Sequence, residues 1–142
     1  MSDRPSLTLQ RRLNASPAKV YGAWTDPAQI AKWWHPRGNN VVHAAADVRV
    51  GGRFRIIMRG QEGEEHDVSG VYREVVPDEK LVFSWAWRST PERESQVTIT
   101  LRRDGDATLL TLLHEQFFDE AARDAHRHGW TDILDDLVAR FA

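Results

Sequence analysis

Two periods of hydrophobic and polar positions divide this chain. From Asp119 to Phe141 the period is helical. Ala122, His126, Trp130, Ile133, Leu137 and Phe141 share one face, with Leu134 and Val138 beside them. The opposite face carries Glu120, Arg123, Asp124, Arg127, Asp135 and Asp136. The pattern predicts one long closing helix, with Asp119 placed to cap it. At about 1.5 Å per residue such a helix spans roughly 34 Å, enough to cross a whole sheet. The buried face is uneven. Trp130 to Phe141 is dense and apolar, whereas Ala122 to Gly129 offers only alanine, glycine and His126. If the interior holds a void, it is expected under that thin first half, roofed by Phe117 and Phe118 and walled by His114.

Most of the remaining chain alternates with period two. Leu7, Leu9, Arg11 and Leu13 against Thr8, Gln10 and Arg12 predict a first strand. Two short helices follow. Ser16-Pro17 and Asp26-Pro27 each join a capping side chain to a proline tolerated at the first helical position. Gln29 is placed to close a capping box on the second. Val20, Tyr21 and Trp24, then Ile30, Trp33 and Trp34, give the helices their buried sides, and Pro36 with Gly38 ends the second. Six strands come next, over 41–48, 53–59, 66–75, 80–88, 95–103 and 107–115. Gly51-Gly52 reads as a two-residue hairpin turn. Val76-Pro77-Asp78-Glu79 and Asp104-Gly105 are further turns. Short connections make consecutive strands antiparallel neighbours.

The predicted fold class is therefore α+β. A curved antiparallel sheet of six or seven strands carries two short helices after strand 1 and a long C-terminal helix packed across it. Residues 1–142 form a single domain. Alternation turns Phe54, Ile56 and Met58 inward, with Trp85, Trp87, Val97, Ile99, Leu110, Leu112 and His114. Arg53, Arg55, Arg59, Ser84, Arg88, Thr98 and Thr100 fall on the outer face.

Composition narrows the class. A chain of 142 residues, 41% hydrophobic, buries a core without metals or staples. It has no cysteine, which excludes disulfides and thiolate chemistry and fits a reducing compartment. A net charge of -2 recruits neither nucleic acid nor an anionic membrane. No apolar run reaches the length of a membrane span, and the N-terminal stretch does not read as a signal peptide, so a cytoplasmic location is expected. Six tryptophans in so short a chain point to a ring-rich interior or pocket.

The order of elements, together with several motifs, resembles the START-like helix-grip superfamily, SRPBCC, and within it the branch named after the activator of the Hsp90 ATPase, as a stand-alone bacterial-type member. The motifs are Ala23-Trp24-Thr25-Asp26-Pro27, Trp33-Trp34 with Pro36, and Asp47-Val48-Arg49-Val50-Gly51-Gly52-Arg53-Phe54. Gly70-Val71-Tyr72, Pro77-Asp78-Glu79-Lys80-Leu81 and His126-Arg127-His128-Gly129-Trp130 follow in family order. The resemblance implies a cavity between sheet and long helix, used across the superfamily for lipids, steroids, polyketides and other apolar molecules. It does not imply one activity. The founding member's chaperone role needs a further domain for which this chain offers no room.

Three functions are carried forward. The first is binding of a small hydrophobic molecule, aromatic or lipid-like, by Phe54, Ile56, Met58, Tyr72, Trp85, Trp87, Leu112, His114, Phe117, His126 and Trp130. The second is an enzyme of cyclase, hydratase or isomerase type acting on a polyketide-like substrate, with His114 the best catalytic candidate. A histidine facing inward near a strand end can bond a ligand, move a proton near neutral pH, or simply be a satisfied buried group. The third is a protein-interaction module, which would need an exposed apolar patch that the polar outer face does not offer. No cofactor is implied. No metal is expected either, since His114 and His126 lack a third ligand and His126 and His128 do not face each other. A homodimer through an edge strand or a helix stays open. Gly129, inside the helix, costs about 1 kcal/mol relative to alanine. It is read as allowing close packing of a tryptophan, with space for a ligand as the alternative. Asp47, Arg49 and Glu115 either ring a cavity mouth or pair between elements.

Overall fold

The computed structural model describes residues 4–34, 36 and 38–142. Seven strands and three α-helices run in the order β1 Leu7–Leu13, α1 Pro17–Thr25, α2 Pro27–Trp33, β2 Asn40–Ala46, β3 Arg53–Arg59, β4 Glu65–Val76, β5 Lys80–Trp87, β6 Ser95–Asp104, β7 Ala107–Glu115 and α3 Glu120–Arg140. The sheet is antiparallel, in the order β1-β7-β6-β5-β4-β3-β2. The last strand therefore pairs back on the first, and β1 and β2 are the two edges. A short 3-10 turn, Pro91–Arg93, links β5 to β6.

The caps explain where the helices begin. Ser16 accepts from the Lys19 amide, Asp26 from Ala28 and Asp119 from Ala122, each satisfying a first-turn N–H that has no partner within the helix. The capping box expected of Gln29 does not form. Its side chain donates to the Asp26 carboxylate at 3.3 Å, while the Asp26 amide is already taken by the Gly22 carbonyl of α1. The two helices abut so closely that the cap of one is the last amide of the other.

Two further expectations are corrected. Gly51-Gly52 is not a two-residue hairpin. β2 ends at Ala46, and residues 47–52 form a longer loop in which Gly51 has φ +86° and the Gly52 amide donates to the Arg49 carbonyl. A Cβ on Gly52 would collide with the Asp47 carbonyl oxygen, so glycine is required there by close approach. Asp47 and Arg49 pair with each other at 2.8 Å within this loop. Ser84 is not on an exposed face but buried, its hydroxyl accepting from the Val71 amide at 2.8 Å. The β4–β5 register shifts two strand positions later, between Tyr72 and Glu74.

The inner face of the sheet, α1, α2 and the buried side of α3 share one core. On the outer face Arg55 pairs with Asp67 and Arg59 with Glu65. Among the described residues Val42, Val50 and Phe118 are the exposed large hydrophobics, and Arg93 covers Phe118 at 4.0 Å. These are single residues on separate elements, which is ordinary surface. None of the described helices is long and apolar enough to cross a membrane.

Candidate functional site

The six tryptophans form one network. Trp24 contacts Trp33, Trp34 and Trp130; Trp34 stacks on Trp85 at 6.0 Å; Trp85 meets Trp130 at 5.1 Å and Trp87 at 5.6 Å. Rigid rings of this size do not interdigitate like leucines, and between them a pocket of about 480 Å³ opens. Trp85 and Trp87 of β5 form one wall. Met58 of β3 and His66 of β4 extend it. Ala125, His126, Gly129, Trp130 and Ile133 of α3 form the facing wall, and Trp34, Pro36 and Asn39 close the end beyond α2. His128 and Asp132 also line it. The volume and the mostly apolar lining are those of a small-molecule site.

Two histidines buttress the pocket, and both are engaged with tryptophan. An indole nitrogen can only donate, so the 2.9 Å bond from Trp130 Nε1 fixes His114 Nδ1 as a bare acceptor. The proton of His114 then sits on Nε2 and is donated to Ser95 Oγ at 2.7 Å, whose own hydroxyl points to the Trp85 carbonyl at 3.4 Å. His114 is fully buried with both nitrogens used. Burial, with His126 nearby, pushes its pKa well below 6.5, so it is neutral. Alternation turned His114 inward, as the structure has it, and its partners are an indole and a hydroxyl.

His126 has the opposite tautomer. Its Nε2 accepts from Trp87 Nε1 at 2.9 Å and from Trp85 Nε1 at 3.3 Å, so the proton lies on Nδ1, which donates to the Ala122 carbonyl at 2.7 Å. Burial lowers its pKa, with the Ala122 bond opposing. The two imidazoles stand 5.1 Å apart, edge to face. Among the described residues no three His, Asp or Glu side chains converge to hold a metal.

Of the side chains singled out in the sequence, Met58, Trp85, Trp87, His126 and Trp130 line the pocket. Phe54, Ile56 and Tyr72 instead surround a closed gap of about 10 Å³ deeper in the core. Burial raises the pKa of the Tyr72 phenol. Leu112 and His114 are fully buried and do not line the pocket. Phe117 packs at a tilt on His114, with ring centres 4.1 Å apart, and on His126 at 5.0 Å. It does not roof the pocket, whose α3 wall runs from Ala125 to Ile133 and so begins under the thin first half of the helix, where a void was expected, and continues past Trp130. Phe118 points outward and roofs nothing.

Gly129 also departs from expectation. A Cβ there would meet only Pro36 Cγ, at 4.0 Å. No tryptophan packs closely against it; the missing side chain is part of the pocket. Trp34, Pro36, Asn39 and His66 were missed as lining residues because they arrive from α2 and β4 through tertiary folding. The one sequence signal was the Trp33-Trp34 pair, both buried, with Trp34 just past the end of α2.

A curved seven-stranded sheet gripping a long C-terminal helix around a partly apolar pocket is the helix-grip architecture. The model of the family described as activator of Hsp90 ATPase homolog 1-like protein matches residues 14–142, and the chain belongs to that family. Solved structures agree. Protein CV1439 from Chromobacterium violaceum is 29% identical, with a TM-score of 0.86 over 96% of this chain and 97% of its own. The family protein SPO3351 from Silicibacter pomeroyi is 28% identical, with a TM-score of 0.83 over 96% of each chain. CalU16 from Micromonospora echinospora is 30% identical, with a TM-score of 0.73 over 96% of this chain and 74% of its own. No curated protein matches the sequence.

Proposed function

We propose that this protein binds a small, flat, largely apolar molecule between α3 and the β3–β5 face of the sheet. The observation that carries the reading is Gly129. A glycine within a 21-residue helix weakens it, yet here it packs against nothing and opens the pocket beside four tryptophans. Trp34, Met58, Trp85, Trp87 and Trp130 supply the apolar contact, with His126 at the wall. Burial of a ligand's apolar surface there is worth about 25 cal/mol per Å² before the costs of association.

The enzyme reading has less support. His114 and His126 are neutral, as a general base must be, but all four ring nitrogens already have protein partners.

A panel of uncharged bicyclic compounds, followed by tryptophan fluorescence and thermal melting, tests the proposal. At least one compound should alter emission and raise the melting temperature. Gly129→Leu, which projects a side chain into the open space, should abolish both responses while the protein stays folded. Silence across the panel, or binding that survives Gly129→Leu, would reject the site.

A further inference from the structure

The wall of the pocket carries more hydrogen-bond donors than acceptors. The indoles of Trp85 and Trp87 both converge on the single Nε2 lone pair of His126. One lone pair accepts one hydrogen well. The Trp87 contact, at 2.9 Å, is the good bond; the Trp85 contact, at 3.3 Å, is the poorer one. His126 has nothing else to give, because its Nδ1 is committed to the Ala122 carbonyl. His114 cannot relieve Trp85, since its Nδ1 is taken by Trp130 and its Nε2 carries a proton held by Ser95. Trp34, stacked on Trp85 and lining the same space, adds an indole N–H with no partner among the described residues. Asn39 Oδ1, toward α2, is an unpartnered acceptor, but it makes no bond to these indoles.

Resting on the reading of this space as a ligand pocket, we propose that its occupant is an uncharged molecule whose buried end carries a carbonyl oxygen, accepted by the wall through the Trp85 indole N–H. The carbonyl takes over the poorer of the two shared bonds and leaves Trp87 to His126. A hydrocarbon leaves the surplus donor as it is, and an ammonium or other donor-only group makes it worse. An anion finds no lysine or arginine among the described lining residues and has Asp132 facing it. The partial burial of His126 and Trp87 keeps this part of the wall within reach of a ligand.

Indane and 1-indanone share a bicyclic skeleton and differ by one carbonyl, so their affinities isolate the effect. In a merely apolar pocket indane binds more tightly, because the ketone loses its hydration without compensation. Here 1-indanone should bind roughly three- to tenfold more tightly than indane, the range of one neutral hydrogen bond. Trp87→Phe leaves His126 Nε2 to Trp85 alone. Trp87 also lines the pocket, so its loss can lower both affinities; it is the ratio of the two, the preference for the ketone, that should vanish or reverse in that variant. Equal binding of the two compounds by the wild type, tighter binding of indane, or a preference untouched by Trp87→Phe would overturn the carbonyl assignment and leave the pocket standing. Failure of both compounds to bind would reject the assignment together with the pocket.

Discussion

The two halves of α3 are built from one helix yet meet the rest of the protein differently. In the second half Trp130, Ile133, Leu134 and Leu137 are buried and belong to the common core. In the first half no residue is fully buried, and Ala122, His126 and Gly129 are the inward side. Leucine and isoleucine have soft outlines and no polar atoms, so the second half closes by interdigitation. The first half faces tryptophans, whose rings are rigid and whose N–H groups need acceptors. Two histidines supply those acceptors, and a gap remains where a glycine replaces a side chain. An aromatic interior of this kind is held by specific hydrogen bonds as much as by packing, and its openness follows from the same residues.

The contrast can be broken from either end. The largest effect should come from Leu137→Ala, fully buried in the closed half, which should cost about 2–5 kcal/mol in urea unfolding. At the junction, Trp130→Phe removes the donor to His114 and leaves a buried lone pair bare, for a loss of about 1–3 kcal/mol.

Lowering the pH should attack the aromatic half selectively. Both histidines are held below their ordinary 6.5, so as pH falls the unfolded chain takes up protons first. The stability of the neutral pair is fully present above about pH 6.5 and lost below it, with a slope of up to about 1.4 kcal/mol per pH unit for each histidine. Protonated His126 would also turn Nε2 into a donor facing two indole donors. Asp67, held low by Arg55, loses its contribution only further down, below its ordinary 3.8. A flat stability profile between pH 7 and 5 would contradict the neutral assignment. The smallest effect is a gain: Gly129→Ala should stabilise the protein by about 1 kcal/mol, because the new methyl meets nothing closer than Pro36.

How much of this was legible in the sequence differs between the two halves. Period alone placed β7 at Ala107–Glu115 and α3 to within one residue at each end, because both carry long, regular patterns with a cap or turn at their limits. Local chemistry was less sure where chain segments crowd one another. Gln29 lost its capping role to an abutting helix, and Ser84 is buried where the neighbouring strand crowds it, its hydroxyl held by the Val71 amide. The inward turn of His114 could be read from alternation. The pairing of each histidine with its tryptophans could not, since Trp130, Trp87 and Trp85 reach them from other elements. The thin first half of α3 did mark where the pocket begins, but its roof was not legible, because Phe117 packs on His114 and His126 instead of lining the pocket, which no spacing encodes.

The most direct measurement follows the indole N–H signals of the six tryptophans by NMR as a bicyclic ligand such as 1-indanone is added. The signals of Trp34, Trp85, Trp87 and Trp130, which line the pocket, should shift together, while those of Trp24 and Trp33, which do not, stay in place. Saturable shifts confined to Trp24 and Trp33, or no shifts at all, would contradict the claim that the open half of α3 covers a binding site.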